Sequence, residues 1–235
     1  MAGYRPGLSD FIGASAGAFF IAATVALNPL LTGWYRRWGA TDAEAGRRRP
    51  GDELVPHPRA AATRAITVKA AAARIWPWLL QIGLERGGWY SYDLLEAAAG
   101  AADFADGHTA RRIIPELQNL AVGDKIWMHQ RILPLTVVAM EAPVSLVFLT
   151  RVDLETKAGF ELGGGMPAQY VNSSWAFYLD ETGRDTTRLI VRSRLDYNRS
   201  PVNFIAWRIF TDPISFVMER KMLFTLKKSA ETTPA

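Results

Sequence analysis

The sequence predicts an α+β fold: a curved antiparallel sheet around a long C-terminal helix, preceded by a transmembrane helix near the N-terminus. Three observations predict it. An uncharged run occupies Phe11 to Thr32. Period-two alternation recurs in separated segments between Asp124 and Asp196. A heavily apolar stretch runs from Pro201 to Lys228 near the other end.

The uncharged run, FIGASAGAFFIAATVALNPLLT, would span roughly 33 Å as a helix, close to a bilayer core of about 30 Å. Asp10 closes one end; Trp34, Tyr35, Arg36, Arg37 and Trp38 close the other, an aromatic and basic belt suited to lipid headgroups. Pro29 falls where a kink is tolerable. A membrane anchor over residues 11–32 is the leading expectation. A cleaved signal peptide and a helix packed on the domain are the alternatives; Thr24-Val25-Ala26 makes a poor cleavage site. If the segment spans, the heavier positive charge after it puts the domain on the cytoplasmic side. Gly13 and Gly17 have the G-x-x-x-G spacing that pairs helices, which offers a weak route to a homo-oligomer.

Residues 39–63 are polar and rich in Pro and Gly, and 34–63 reads as a linker or arm. His57, between two prolines, reads as a solvated loop histidine. The domain is placed at 64–228, with 229–235 as a tail. Arg64 to Val68 alternates like a strand, and residues 70–83 read as a helix interrupted by Pro77. Gly87 and Gly88 then supply a sharp turn that brings Trp89, Tyr90 and Tyr92 inward. A second helix follows, with Ser91 or Asp93 as N-cap; Asp93 and Glu96 have capping-box spacing. Residues 101–120 read as a loop with one helical turn at 115–117. Strands are expected at 124–129, 135–140, 146–151, 174–179 and 188–196, with a flexible loop at 152–172 around Gly163-Gly164-Gly165. In the last strand Leu189, Val191, Ser193 and Leu195 alternate with arginines. Arg192 and Arg194 should therefore face outward, solvated or in surface ion pairs. Asp212-Pro213 should restart the final helix.

Composition narrows function. Hydrophobic residues make up 49% and charged residues 21%, so a packed core is expected. There is no cysteine, which removes disulfides, thiol catalysis and thiolate metal sites. A net charge of +4 is too mild to indicate nucleic acid as a partner. No phosphate loop, dinucleotide fingerprint, nucleophile elbow or zinc-helix motif is present.

The order of elements and several short stretches resemble the START/polyketide-cyclase (SRPBCC) superfamily, and most closely its membrane-anchored members. These stretches are Trp38-Gly39-Ala40-Thr41, Ile75-Trp76-Pro77-Trp78-Leu79, Arg86-Gly87-Gly88-Trp89-Tyr90-Ser91-Tyr92-Asp93, Ala121-Val122-Gly123-Asp124, Trp175-Ala176-Phe177 and Phe216-Val217-Met218-Glu219-Arg220. The resemblance covers about residues 38–228. It implies the helix-grip fold and a deep apolar cavity between sheet and helix that binds lipids, sterols, quinones or polyketides, with cyclase chemistry in some members. It transfers no catalytic motif and no cofactor.

Within that frame Trp89, Tyr90, Tyr92, Trp127, Phe148, Trp175, Phe177 and Trp207 are the cavity candidates, since an apolar wall with a few hydroxyls orients a ligand. His129 is a weak candidate general base, with Tyr92 beside it as a suspect for enzyme chemistry. Asp103, Asp106 and His108 lie close in sequence but match no metal-ligand spacing, so no metal is assigned. Three functions follow: membrane-tethered binding of a hydrophobic small molecule or lipid, a cyclase- or hydratase-like enzyme, or a structural protein whose cavity its own side chains fill.

Overall fold

The computed structural model describes residues 6–101, 104–128 and 134–232. His129 and Asp103 lie outside the described residues. The sheet is built from β1 (Ala60–Val68), β2 (Lys125–Ile126), β3 (Leu135–Glu141), β4 (Ser145–Asp153), β5 (Tyr170–Gly183) and β6 (Thr186–Tyr197). They pair antiparallel in the order β1-β6-β5-β4-β3-β2. The first strand reaches the sheet edge by pairing with the last, so the chain's two halves are joined across β1 and β6.

Strands β4, β5 and β6 run past the limits that alternation predicts. Backbone pairing carries them on: Asp153 lies opposite Tyr170, and Val171 opposite Tyr197, where the side-chain pattern has already become irregular. The loop between β4 and β5 shortens accordingly to 154–169.

Side chains alternate between two faces as period two requires. Phe148, Phe177, Leu179, Leu189 and Val191 point inward. They meet Ile75 and Leu79 of α4 (Ala72–Leu80) and Met222, Leu223 and Leu226 of α7 (Asp212–Thr232). Ala65, Val147, Ala176, Tyr178 and Ile190 point to the other face and form a second, smaller cluster with Ala40 and Leu54.

Residues 39–59, which include the short helix α3 (Asp42–Gly46), cover that outer face. Arginines of the sheet hold this cover. Arg188 pairs with Glu44 at 2.8 Å, Arg192 with Asp52 at 2.7 Å, and Arg49 of the cover with Asp180 at 2.5 Å. Arg192 and Arg194 do face outward and do form ion pairs, but Arg192 is only 5% exposed. The expectation of a solvated arginine fails because the 39–59 segment lies over it.

The N-terminal apolar run folds as α1 (Leu8–Ala26) and α2 (Asn28–Tyr35), broken at Leu27 ahead of Pro29, which has no N–H to continue the ladder. Gly17 packs on α5 (Asp93–Ala98): a Cβ at that position would lie 3.0 Å from the Tyr92 ring and 3.1 Å from Leu95. Gly17 is thus used inside the chain, a contact separate from the expected pairing with a second copy. Gly13 has open space beside it.

The C-terminal stretch begins with α6 (Pro201–Asn203), passes through a π-helical segment at Phe204–Thr211 and becomes α-helical again at Asp212. Pro213 cannot donate its backbone nitrogen, and the wider turn before it absorbs the mismatch. The α-helix then continues to Thr232, four residues past the expected Lys228.

Candidate functional site

The turn at Gly87-Gly88 does what its sequence suggests. Gly83 and Gly88 exchange backbone hydrogen bonds of 3.1 and 3.0 Å. Gly88 has φ +83, and a Cβ on Gly87 would lie 2.8 Å from the carbonyl oxygen of Gln81. Only glycine lets the chain reverse so tightly there. The reversal carries Trp89 and Tyr90 into the core.

Trp89 faces Trp175 of β5 with ring centroids 6.1 Å apart; Trp175 lies 4.6 Å from Phe177 and 6.0 Å from Phe148. These four of the eight cavity candidates are brought together on the inner face. Tyr90 is buried but turns the other way. It stands edge-on to Trp78, and its hydroxyl accepts a hydrogen bond from the Gln81 amide at 2.9 Å. Burial pushes its phenol well above the usual range. Tyr92 lies beneath α1, against Gly17. Trp127 is 41% exposed. Trp207 stacks on Tyr197 at the far end of the sheet, at 6.1 Å.

Two buried carboxyl groups stand out, to neither of which sequence reasoning assigns a site role, and one of them, Glu219, adjoins the aromatic cluster. Glu219 of α7 accepts a hydrogen bond from Trp175 Nε1 at 3.0 Å and forms a close ion pair with Arg64 of β1. Arg64 is 1% exposed, donates to the Tyr35 carbonyl at 2.9 Å, and lies with its guanidinium 5.3 Å from the Phe216 ring centroid. Glu96 of α5 is also buried. Ser91 Oγ donates to its Oε1 at 2.6 Å and sits 3.6 Å from Met218 Sδ.

The capping-box reading of Asp93 and Glu96 is therefore corrected. Tyr92 is the N-cap residue. Asp93 accepts from the backbone N–H and hydroxyl of Thr109 at 3.0 and 2.5 Å. Glu96 is buried and hydrogen-bonded to Ser91 instead. Burial pushes its carboxyl up to about 8; the Ser91 hydrogen bond opposes that rise and the charge of Asp93 adds to it. At neutral pH Glu96 is mostly protonated.

Glu96 Oε2 is buried without a hydrogen-bond partner, as are Trp89 Nε1 and Trp78 Nε1 of the core and Arg49 Nε and Asp52 Oδ1 of the outer face. Such groups are uncommon in folded proteins and each costs about 1–3 kcal/mol when left unpaired. A protonated carboxyl and an indole N–H in apolar surroundings can both donate to a carbonyl or hydroxyl oxygen.

The deep cavity implied by the resemblance is not found between sheet and α7 among the described residues. That volume is filled by Trp76, Leu79, Trp89, Phe148, Phe177 and Met222, with Trp175 packed against them. Large aromatics on facing positions interdigitate and leave little space. Two concavities lie elsewhere. One of about 350 Å³ is bordered by Arg59, Tyr197, Arg199 and Phe204; one of about 450 Å³ is bordered by Asp106, His108, Arg111 and Arg112. Both are open to solvent. Asp106 pairs with Arg112 at 3.1 Å. No group of three metal-ligating side chains occurs among the described residues.

No protein-family model matches the chain, and no curated protein does. Among solved structures it is similar to a conserved protein from Geobacillus kaustophilus, at 13% identity and TM-score 0.41, covering 73% of this chain and 95% of that one. It is also similar to truncated norcoclaurine synthase from Thalictrum flavum, at 14% identity and TM-score 0.40, covering 74% and 95%. A third is the Zhui aromatase/cyclase from Streptomyces, at 12% identity and TM-score 0.33, covering 74% and 94%. Likeness of this size says nothing about ligand or reaction. The strand order and the long C-terminal helix themselves give the chain an α+β architecture of the helix-grip kind, the one its resemblance to the START/polyketide-cyclase superfamily implies.

Proposed function

We propose that this protein is a membrane-associated binding module for a hydrophobic small molecule or lipid, taken up between the sheet and α7 beside Trp89, Trp175 and Glu219. The observation that supports it best is Trp89 Nε1, buried without a hydrogen-bond partner within the aromatic cluster of the inner face. An apolar ligand carrying an oxygen would relieve it, and its entry displaces packed side chains rather than filling a standing void. In this reading the binding domain runs from the start of β1 at Ala60 to the end of α7 at Thr232, with 34–59 an arm laid against it and 1–33 the membrane segment. The apolar helix α1 brings the domain to the phase in which such ligands are stored.

The test is organic extraction of the purified full chain followed by mass spectrometry, with tryptophan fluorescence recorded during titration with fatty acids, quinones and polycyclic phenols. A stoichiometric apolar molecule, or saturable quenching abolished by Trp175→Leu, is the expected result. An empty extract with flat fluorescence across the panel would sink the binding reading and leave a self-filled structural domain.

A second reading, a cyclase- or hydratase-like enzyme, is favoured by one specific observation. Glu96 is a buried carboxyl that keeps its proton at neutral pH and so can act as a general acid. Turnover of the extracted molecule that disappears in Glu96→Gln would establish it.

A further inference from the structure

The N-terminal helix pair meets the domain along one stripe and leaves the opposite side bare. Gly17, Thr24, Asn28 and Tyr35 are buried, at spacings that keep them on one side of the helix. That side is fastened by polar contacts. Asn28 Nδ2 donates to the Arg208 carbonyl at 2.8 Å, the Tyr35 hydroxyl donates to Asn28 Oδ1 at 2.6 Å, and Arg36 pairs with Asp212 at 2.6 Å. The bare side carries Leu8, Phe11, Ile12, Phe19, Leu30 and Trp34, all exposed. The Asn28–Arg208 bond joins α2 to the π-helical segment, where Val202, Phe204, Ile205 and Phe210 are exposed too. Of the nineteen large hydrophobic side chains exposed among the described residues, twelve lie in 8–34 and 202–214. Apolar exposure this concentrated marks a surface that is covered in use.

We infer that α1 and α2 lie in the plane of a phospholipid interface rather than across the bilayer, with the 202–210 segment immersed beside them. The inference rests on the membrane half of the reading above and replaces a spanning anchor by a surface seat. Its physical ground is what lies against the middle of α1. The Arg220 guanidinium sits 5.6 Å from the Phe20 ring centroid, and the Lys221 ammonium 5.8 Å from that of Tyr92, which packs under Gly17. If α1 crossed the bilayer with its dock intact, Arg220 and Lys221 would be drawn toward the hydrocarbon centre, where each costs about 2.5–3.5 kcal/mol or more. If it crossed with the dock undone, the Gly17–Tyr92 contact and the Asn28 and Tyr35 hydrogen bonds would be lost. Lying in the interface requires neither.

Charge and edge chemistry select lipid as the occupant. Residues 8–36 and 199–212 contain Arg36, Arg199 and Arg208 against Asp10 and Asp212, and Arg37 follows directly. Trp34 stands exposed at the end of the apolar side beside this basic group, as at a headgroup boundary. An interfacial helix immerses its apolar side by about 5–10 Å and gains from anionic lipid. Here the domain, not the helix's own far side, supplies the polar half.

The absence of cysteine makes the test direct. Single-cysteine variants Leu8→Cys, Phe19→Cys, Leu30→Cys and Phe204→Cys of the full chain are spin-labelled and bound to vesicles of phosphatidylcholine and phosphatidylglycerol. Label depth is then read from relative collision rates with oxygen and a water-soluble nickel chelate. All four labels at similar shallow depth, with binding weakened when phosphatidylglycerol is omitted, is the expected result. Phe19 at the bilayer centre with Leu8 and Leu30 emerging toward opposite surfaces would overturn the inference while leaving membrane association intact. Labels that remain lipid-free and become immobilised by a second copy would overturn it as well. A chain that binds no vesicles at all would remove the membrane half of the proposed function with it.

Discussion

The two faces of the sheet are both covered, but by opposite means. The outer face is closed by residues 39–59 through ion pairs and hydrogen bonds: Arg192 alone reaches Asp52, Thr63 and the carbonyls of Glu44, Ala45 and Arg47, while Arg49 Nε and Asp52 Oδ1 are left without a hydrogen bond. The inner face is closed by aromatic rings and α7, and polar atoms there are left over. On the outer face charged groups hold one another; on the inner face the indole N–H of Trp89 stands among apolar rings, where a third molecule can pair with it. That difference is why the functional reading is placed on the inner face, although the outer face holds more charge.

The largest expected effect tests whether the inner polar cluster is buried as deeply as its geometry says. Arg64→Ala leaves Glu219 buried without its counterion and should lower stability by about 3–5 kcal/mol in urea denaturation. Arg64→Met combined with Glu219→Leu should recover most of that loss, because both charges go together. A single-variant cost below about 1 kcal/mol would mean the pair is hydrated.

Next in size is a pH dependence that the outer face does not share. Glu96 holds its proton more tightly folded than unfolded, with its carboxyl raised from 4.5 to about 8. The folded state therefore binds the extra proton, and stability falls as pH rises from about 4.5 to about 8, then levels off. The fall should amount to a few kcal/mol, at most about 5. Denaturation curves of Glu96→Gln should lose this slope; an unchanged slope would assign it to another group. At the outer face the sign is opposite. Asp180 and Glu44 are held below the usual carboxylate range by Arg49 and Arg188, so their contribution is present at neutral pH and is lost only on acidification through the carboxylate range.

Arg192→Ala probes that outer network directly. It removes the main cationic partner of the largely covered Asp52 carboxylate and the donor to several carbonyls, and should cost about 2–3 kcal/mol. Ligand-dependent fluorescence of the inner tryptophans should survive it in whatever fraction stays folded. If the quenching disappears while the fold persists, the two faces are coupled and the contrast between them fails.

The sequence made the layers legible and left the site half hidden, for reasons visible at single residues. Leu189, Val191 and their arginine neighbours alternate cleanly because each face of β6 meets a different environment, so the strand and its orientation could be read locally. Gly87-Gly88 announced its turn because only glycine tolerates that backbone. Arg64 and Glu219 gave no such sign. A charged residue on a strand or helix reads as solvent-facing, and only the meeting of β1 with α7, 155 positions apart in sequence, buries both. Glu96 was masked by a competing local signal: three positions after Asp93 it looked like half of a helix cap. Trp127 and Trp207 mislead in the other direction, since a large ring suggests a core position whether or not the fold supplies one. The 39–59 segment looked like a linker because its Pro, Gly and charges have no period; what orders it is the arginine row of the sheet, which cannot be paired with it from local pattern.

The smallest effect sharpens the contrast between covers. The arm is held on the outer face by ions, whereas α1 is held on α5 partly by close approach at Gly17, where the Tyr92 ring leaves no room for a Cβ without movement. Gly17→Leu should therefore lift α1 and cost about 1–3 kcal/mol, the usual penalty of overpacking. Gly13→Leu, four residues earlier on the same helix with nothing within 4 Å of its Cβ direction, should be near neutral. The two glycines share one G-x-x-x-G spacing. A helix-pairing role would make both substitutions disrupt a dimer, while an intrachain dock makes only Gly17 sensitive and leaves the sedimentation mass of both variants unchanged. Analytical ultracentrifugation beside the denaturation curves separates these outcomes. Equal sensitivity at the two positions would show that α1 is held by a second copy, and the closing contact on the inner side of the molecule would then have to be sought between chains.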